Sequence, residues 1–482
     1  MSVRRTGGRR GNGDLAGNPP TRTAVRSAKL AALPLAFAGR RAAGAGKKAL
    51  GRSRTEVDRE IRLRTAQHLF EVLGELKGFA AKIGQVLAVY ELALPPELAE
   101  PYRIALSRLH DSTPAMLPST VHAVLTESFG PDWRVNFREF DDRRAASATI
   151  GQVHRAIWHD GRPVAVKLMY PGAREAVHSD LEHLRRMSAL LAVFVPNADI
   201  RAMTERLAEC IRAELDFAHE AENQRAFALA FDGDPDFRVA RVVARRGDVI
   251  VSEWLDGVPL TRLIDMGAQA ERDRVGLLAI RFVLSSPERT GLLYGDPHPG
   301  NFRVQPDGRL GVVDFGACTP WPPPQFAPMV FEVGDALING GPAELDAAIR
   351  RHGFARRDSV FDAVALGDQL RAYAELLLRE RTRVDREWLR ARVLVALNPR
   401  LDNVNRHLDL PAYYVPFGRA VTTLFGLVSQ LGASGPIRDE VLRWSPELTE
   451  VMARHRARTG GPTDLAAVRL RRNTIGDSRR RA

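Results

Sequence analysis

The 482-residue chain is poor in cysteine and contains no long apolar run. Its two cysteines, Cys210 and Cys318, exclude a disulfide framework and lack the spacing of a metal-binding motif. No segment approaches the roughly 20 apolar residues that a membrane-spanning helix needs. We therefore expect a cytoplasmic protein that is at most peripheral to a membrane.

The basic residues are concentrated towards the two ends of the chain. Of the formal net charge of +12, residues 1–55 contribute +12 through thirteen Lys or Arg and Asp14. Residues 469–482 contribute +5, so the remaining residues carry −5. A mildly acidic body argues against nucleic-acid binding, because nucleic-acid-binding proteins usually present a basic face. We expect solvated, partly disordered terminal segments, with anionic membrane as the alternative partner.

The strongest functional pattern lies between Tyr294 and Gly316. Asp296 and Asn301 have the D-x-x-x-x-N spacing of a kinase catalytic loop, in which the Asp orients the acceptor and the Asn binds Mg²⁺. Two short apolar runs around a Pro-Asp-Gly turn then predict a β-hairpin. The hairpin should bring Asp314 of a D-F-G tripeptide beside Asn301, so that both offer oxygen ligands to Mg²⁺ and ATP.

A second hairpin is predicted over 150–158 and 163–168, with its turn at Asp160-Gly161. It ends in V-A-V-K, and Lys167 matches the strand lysine that holds the α- and β-phosphates in kinases. The segment before this hairpin stands where kinases have a Gly-rich phosphate loop and consists of Ala145, Ala146, Ser147, Ala148 and Thr149.

A charge at the end of a buried Val-Ala-Val run needs a counter-ion. Glu214, Asp216 and Glu220 are grouped in a helix predicted over 200–229. They are either a solvated surface or the source of that counter-ion, for which Glu220 is the best candidate. A further strand ends near Glu253, and its continuation to Leu255 would provide hinge backbone groups for adenine.

Helical periodicity also covers 56–90, 116–129 and 260–286. We predict an α+β, bilobal protein-kinase-like fold with an N-terminal helical extension and a mostly helical C-lobe. The predicted divisions are a basic arm (1–55), the extension (56–115), the N-lobe (116–255), the C-lobe (256–450) and a basic tail (451–482).

Six motifs occur in the order that is typical of the UbiB family of atypical kinases, also called AarF- or ADCK-type. They are K-x-G-Q at Lys82 to Gln85, the Ala-rich segment, V-A-V-K, E-x-D at Glu214 and Asp216, D-P-H-P-G-N and D-F-G. The chain resembles this family over about residues 25–450. Two departures are A-S-A-T in place of the usual A-A-A-S, and Tyr294-Gly295 in place of the commoner His-Ala.

The resemblance implies an N-terminal extension that packs over the cleft in which a protein substrate would bind. It implies a regulatory role for the K-x-G-Q residues Lys82 and Gln85, with contacts of Lys82 to Glu214 and Asp216, and a Lys167–Glu220 ion pair. It also implies binding of ATP or ADP with Mg²⁺, and a role in isoprenoid quinone or lipid metabolism.

Three functions are compatible with these residues. The first is an ATP-dependent atypical kinase or ATPase that acts on a small-molecule or lipid acceptor. The second is a non-catalytic, nucleotide-dependent protein that binds lipid or quinone precursors. The third, an ordinary protein kinase, is disfavoured because the chain contains no A-P-E sequence.

Overall fold

The computed structural model describes residues 115–182 except 149 and 180, positions 205, 208, 209 and 212, and residues 215–355, 359–396 and 404–460. The predicted basic arm and nearly all of the predicted extension lie outside these residues. Strands dominate the first half of the described chain and helices the second. This arrangement confirms the predicted kinase-like α+β fold.

Five antiparallel strands form the first sheet, in the order β1-β2-β3-β6-β5. They are β1 (Phe137–Ala148), β2 (Gly151–Trp158), β3 (Pro163–Met169), β5 (Val242–Arg246) and β6 (Val249–Glu253). The β2–β3 turn contains Gly161 with a φ of 95°, a conformation that favours glycine. Along β3, Val164, Val166 and Leu168 are fully buried on one face, as the alternation of side chains in a strand requires.

Helices α1 (Pro118–Phe129) and α2 (Phe217–Ala230) both pack against this sheet. Helix α1 (Pro118–Phe129) buries Val121 and Leu125, one turn apart, against the apolar face of β3 and β6. Helix α2 (Phe217–Ala230) contacts β5 and β6 and also reaches the C-terminal half. Its Gln224 side chain donates to the carbonyl of Ala240 at 2.7 Å. Helix α2 therefore fixes the sheet to the rest of the molecule.

A second sheet has the order β4-β10-β9-β7 and contains the predicted catalytic hairpin. Its strands are β4 (Phe237–Val239), β7 (Val258–Pro259), β9 (Phe302–Val304) and β10 (Leu310–Val312). Strands β9 and β10 pair with Val312 opposite Phe302, as the hairpin prediction requires. Two further strand pairs are β8 (Leu292–Tyr294) with β11 (Cys318–Pro320), and β12 (Thr382–Arg383) with β13 (Ser434–Gly435).

Helix α4 (Gln269–Thr290) is central to the C-terminal half. It packs against β8, α9 (Val415–Leu431) and α10 (Ile437–Trp444), and its Phe282 is fully buried among aromatic rings. The helices are α3 (Leu260–Met266), α4 (Gln269–Thr290), α5 (Phe326–Ile338), α6 (Pro342–Arg351), α7 (Ala363–Leu378), α8 (Arg386–Ala396), α9 (Val415–Leu431), α10 (Ile437–Trp444) and α11 (Pro446–Thr459). Single 3₁₀ turns lie at Trp133–Asn136, Pro299–Asn301, Val404–His407 and Ala412–Tyr414.

Two predicted helices are interrupted. The helix predicted over 200–229 is not continuous, because Asp216 is extended and caps α2 by accepting hydrogen bonds from the N–H groups of Ala218 and His219. Asp competes well for such N-cap positions, and periodicity alone does not reveal the break. The helix predicted over 260–286 divides at Gly267 and Ala268, and Ala268 is extended.

Two other segments differ from their predictions. The Ala-rich segment up to Ala148 is a strand and not a loop. It forms the end of β1, with Ala146 opposite Val153 and Ala148 opposite Gly151. Pairing with β2 outweighs the weak strand preference of alanine. Helix α11 extends beyond the predicted boundary at residue 450, because Val451 is fully buried. No helix in the described residues is both long and apolar enough to cross a membrane.

Candidate functional site

Lys167 of β3 lies at the centre of a buried group of charges. Its Nζ donates to Glu220 Oε1 at 2.6 Å and to Asp314 Oδ2 at 3.0 Å. The side chains of Lys167 and Glu220 are 15% and 2% exposed. Burial alone would lower the pKa of Lys167, but the carboxylates of Asp314 and Glu220 more than offset it and raise that pKa. Lys167 is therefore a fixed cation at neutral pH.

Helix α2 positions Glu220. The helix begins at the Asp216 cap, and the N–H of Glu220 donates to the Asp216 carbonyl at 3.0 Å in the first turn. Phe217 is fully buried, and its ring lies 5.3 Å from Lys167 Nζ, within the range of a cation–π contact. The predicted ion pair between Lys167 and Glu220 is thus present. Helix α2 positions its carboxylate, and the Phe217 ring contacts its ammonium group.

The β9–β10 hairpin brings Asn301 and Asp314 together. The N–H of Val313 donates to the carbonyl of Asn301 at 3.1 Å, which fixes the chain beside the D-F-G tripeptide. Asp314 Oδ1 accepts a hydrogen bond from the N–H of Gly316 at 3.1 Å. The Asn301 amide donates to the carbonyl of Asp296 at 3.0 Å, so its nitrogen is engaged and its oxygen is the group suited to a metal.

Asp296 is 7% exposed as a whole residue and lies at the start of the same turn. Its Oδ2 is 3.8 Å from Nη2 of Arg419 on α9, and the two side chains are 10% and 12% exposed. The sequence analysis did not identify Arg419. It lies more than a hundred positions from Asp296 in an unremarkable helical segment, so no local pattern pointed to it.

The residues present fit a Mg²⁺ ion that is shared with a nucleotide. Among the described residues, no group of three or more His, Cys, Asp or Glu side chains is arranged to bind a metal. Asn301 and Asp314 offer two oxygen ligands, which suits Mg²⁺ because this ion is usually held by one or two protein groups, phosphates and water. A metal here would therefore depend on bound phosphates.

Aromatic packing supports the backbone next to Asp296 and Asp314. The rings of Tyr294 and Phe315 lie 5.7 Å apart, and both side chains are fully buried with Phe227. The side-chain amide of Asn223 donates to the carbonyl of Phe315 at 3.2 Å. This packing fixes the backbone on both sides of the acidic groups, so that their positions are set before any ligand binds.

The other predicted nucleotide-binding residues that the structure describes lie in two places, at the end of β1 and around the end of β6. Ala145, Ala146, Ser147 and Ala148 form the edge of the first sheet at the end of β1. The N–H of Glu253 already donates to the carbonyl of Arg241 at 2.9 Å, so it is not available to an adenine. The Leu255 side chain is buried just beyond this strand.

The predicted regulatory contacts fall mostly outside the described residues. These positions are Lys82, Gln85 and Glu214, together with Thr149 of the Ala-rich segment. Asp216 is described, and the contacts found for its carboxylate are the two N-cap hydrogen bonds to α2. The predicted contact between Lys82 and Asp216 remains a prediction.

The chain is similar to known atypical kinases. Residues 108–330 match the ABC1 atypical kinase-like domain. The chain is 30% identical over 263 residues to the mitochondrial atypical kinase COQ8B of Danio rerio, covering 53% of this chain and 41% of that protein. It is 31% identical over 258 residues to the mitochondrial atypical kinase COQ8 of Saccharomyces cerevisiae, covering 51% and 49%. The chain thus spans about half or less of these curated relatives.

A solved structure is similar over a larger share of the chain. It is the complex of Rv3197 with erythromycin from Mycobacterium tuberculosis, which is 39% identical. The alignment covers 82% of this chain and 99% of that one, with a TM-score of 0.60. Together with the Lys167–Glu220 pair and the Asn301–Asp314 hairpin, these similarities show that the chain belongs to the UbiB (ABC1-type) family of atypical kinases.

Proposed function

We propose that the protein binds ATP with Mg²⁺ and transfers the γ-phosphate to a small or lipid-borne acceptor, or to water. The observation that carries this proposal is the position of Lys167, whose Nζ lies between Glu220 and Asp314 at 2.6 and 3.0 Å. A lysine paired with a buried helix glutamate, beside a D-F-G carboxylate and an Asp-Asn turn, is the set of groups that kinases use in phosphoryl transfer.

Each residue then has a distinct role. Glu220 holds the Lys167 ammonium towards the phosphates, and Asn301 and Asp314 would hold the metal, which would supply positive charge against that of the phosphates. Asp296 orients the acceptor and takes up its proton. Because Lys167 also contacts Asp314, binding of Mg²⁺ to this carboxylate would free the ammonium for the phosphates.

The acceptor is proposed to be an isoprenoid quinone precursor or a related lipid rather than a protein. The support is the similarity to the COQ8 atypical kinases and the absence of an A-P-E sequence from this chain. That sequence belongs to the motif set of protein kinases.

Magnesium-dependent ATP turnover tests the proposal. We expect Asp314→Asn to lose roughly a hundredfold or more of the activity, since a metal provides several kcal/mol of charge stabilisation. Lys167→Arg should also be impaired, because the larger planar guanidinium does not fit between Glu220 and Asp314. Asp307→Asn is the control, since this residue lies in the hairpin turn and its side chain is 50% exposed. If the wild-type protein is as inactive as Asp314→Asn when lipid and phenolic precursors are present, the proposed enzymatic activity is refuted.

A second function is a nucleotide-dependent binding protein without turnover. It is favoured by the 39% identical relative, which was solved with the small molecule erythromycin. This function predicts that ATP or ADP raises the melting temperature and that no product is formed.

We also propose that the basic segment 1–55 contacts anionic membranes through its net charge of +12. Deleting these residues should weaken binding to vesicles that contain phosphatidylserine, and raised salt should weaken the binding of the full chain. Equal binding by the full and shortened chains would contradict this contact.

A further inference from the structure

The first sheet places Arg155 on the face that carries Lys167. Lys167 of β3 lies opposite Val153 of β2, and Arg155 lies opposite Ala165, two residues nearer the start of β3. Residues two apart on a strand share a face, so Arg155 and Lys167 lie on the same side of the sheet. If Lys167 holds the phosphates, Arg155 lies towards the other end of a nucleotide, beside the linker (254–257) that follows β6.

The second sheet places Arg303 against the same linker. Arg303 of β9 lies two positions after Asn301 and directly opposite Gly311 of β10. A Cβ at Gly311 would lie 3.2 Å from Cδ1 of Leu255, so this face of the second sheet packs against the linker. Arg155 and Arg303 therefore approach the linker from two different sheets.

Trp254 of the linker lies between the two arginines. The Cζ atom of Arg155 lies over the indole at 5.2 Å from the ring centroid, and the Cζ atom of Arg303 at 5.9 Å. Both distances are within the range of a cation–π contact. The indole N–H of Trp254 donates to Asp256 Oδ1 at 3.0 Å, which fixes the ring. Arg155, Trp254 and Arg303 thus form an arginine–tryptophan cluster at the base end of the proposed nucleotide site.

The backbone around the linker offers few donors to a base. The N–H of Glu253 donates to the carbonyl of Arg241 at 2.9 Å, and the N–H of Trp254 donates to the carbonyl of Pro163 at 3.0 Å. These two N–H groups are therefore unavailable to a nucleotide. Contact with the edge of a base falls largely to the side chains of the arginine–tryptophan cluster.

The N–H donors of both guanidinium groups are available to a ligand. Neither Arg155 nor Arg303 forms an ion pair or a side-chain hydrogen bond within the part of the chain that the structure describes. Arg303 is half-buried, and burial lowers the pKa of its guanidinium against the opposing effect of Asp256. A guanidinium has five N–H donors in its plane, and contact with an indole face leaves them unused. A ligand with hydrogen-bond acceptors would offset the cost of burying this charge.

The lack of acceptors on a guanidinium distinguishes the two purines. Guanine presents two acceptors, O6 and N7, along one edge, and an arginine can donate to both at once. Adenine presents N7 beside an amino group, which is a donor and finds no acceptor on a guanidinium. The arginine–tryptophan cluster therefore matches the edge of guanine better than that of adenine.

We propose that the arginine–tryptophan cluster binds the base of the nucleotide and selects guanine over adenine nucleotides through the N–H donors of its arginines. The inference rests on the proposed function, which places the phosphates at Lys167. Arg303 has the larger share, because it is half-buried whereas Arg155 is exposed. Arg303 is thus a specificity-determining residue of the site.

Calorimetric titration of the full chain with nucleoside diphosphates and Mg²⁺ tests this selectivity. GDP should bind roughly fivefold or more tightly than ADP, the lower end of the discrimination that one bidentate arginine contact provides. Inosine diphosphate keeps O6 and N7 but lacks the 2-amino group, and it should bind as tightly as GDP. GDP binding no tighter than that of ADP, or inosine diphosphate binding as weakly as ADP, would overturn the proposal.

Arg303→Leu assigns the selectivity to the cluster. The variant loses the N–H donors and keeps a side chain that can pack against Trp254, so GDP and ADP should bind with a ratio of about one. Arg225→Leu is the matched control, because Arg225 is exposed on α2 and lies outside the cluster, and it should keep the wild-type ratio. A wild-type ratio in Arg303→Leu would overturn the assignment. The three diphosphates on the wild-type protein keep the proposal falsifiable if Arg303→Leu fails to fold.

The two proposals fail in distinguishable ways. ATP turnover that depends on Asp314, without a preference for GDP, leaves the kinase reaction standing and removes the selectivity for guanine. A preference for GDP that depends on Arg303, without turnover of GTP or ATP, leaves the base site and removes phosphoryl transfer. With both present, GTP should be turned over with a higher kcat/KM than ATP.

Discussion

Replacing Glu220 with glutamine tests the charge arrangement of the site. The change removes the carboxylate that lies 2.6 Å from Lys167 Nζ and leaves the buried ammonium with Asp314 as its counter-ion within the described residues. Removing one member of a buried ion pair costs about 3–5 kcal/mol. Because Asp314 stays at 3.0 Å and glutamine can still accept a hydrogen bond, we expect the free energy of unfolding to fall by about 2 kcal/mol.

Urea denaturation followed by tryptophan fluorescence measures this loss. The matched control is Glu222→Gln, the same chemical change two residues later on an exposed position of α2, which should alter the free energy by less than about 0.5 kcal/mol. ATP should also bind more weakly to Glu220→Gln, because Lys167 is then drawn to Asp314. Wild-type stability and wild-type ATP affinity in Glu220→Gln would refute this account.

The pH dependence of the same variant has a defined sign. The folded-state pKa of Lys167 is raised above its unfolded value. The ion pair therefore contributes fully below the unfolded pKa and is lost only as the pH rises through the folded value. The difference in stability between wild type and Glu220→Gln should stay constant from pH 7 to 9. A difference that disappears over this range would contradict the assignment of a fixed cation.

Three further predictions concern stability. Tyr294→Phe should change the free energy of unfolding by no more than about 1 kcal/mol, because the buried hydroxyl lies near the Asn301 side chain and forms no hydrogen bond of normal geometry among the described residues; a larger loss would contradict this. Gly276→Ala should destabilise by about 1–3 kcal/mol in urea, since its Cβ would overlap that of Ala433, whereas Gly418→Ala in helix α9 has room and should not. Burial lowers the pKa of His154, so stability should decline as the pH falls through about 6.5, and a flat profile would contradict this.

The loss at low pH follows from proton uptake by the unfolded chain. His154 is fully buried, and its ring nitrogens contact the Gln152 side chain at 2.7 Å and the Asp141 carbonyl at 2.8 Å. The folded state therefore resists protonation, while the unfolded histidine accepts a proton near its ordinary pKa. Stability is present above the unfolded pKa and decreases below it, until the folded state is protonated too.

The amino-acid sequence by itself determined the elements that depend on neighbouring residues. The Pro-Asp-Gly turn between two apolar runs gave the β9–β10 hairpin and therefore the approach of Asp314 to Asn301. The alternation in V-A-V-K gave strand β3, and the cost of burying Lys167 required a counter-ion, which is Glu220. Turn chemistry and strand alternation depend on a few neighbouring residues, and a buried charge always needs a counter-ion. These features can therefore be predicted from the sequence.

Tertiary structure decided what depends on residues far apart in sequence. Arg419 reaches Asp296 from helix α9, across more than a hundred positions in sequence. Asp216 lies within a helical pattern, yet its side chain ends that pattern by capping α2. Such contacts form only when packed elements bring distant side chains together, because each segment alone is equally compatible with other partners. The sequence therefore determined the Lys167–Glu220 ion pair and the β9–β10 hairpin, and the fold decided which distant residues lie beside them.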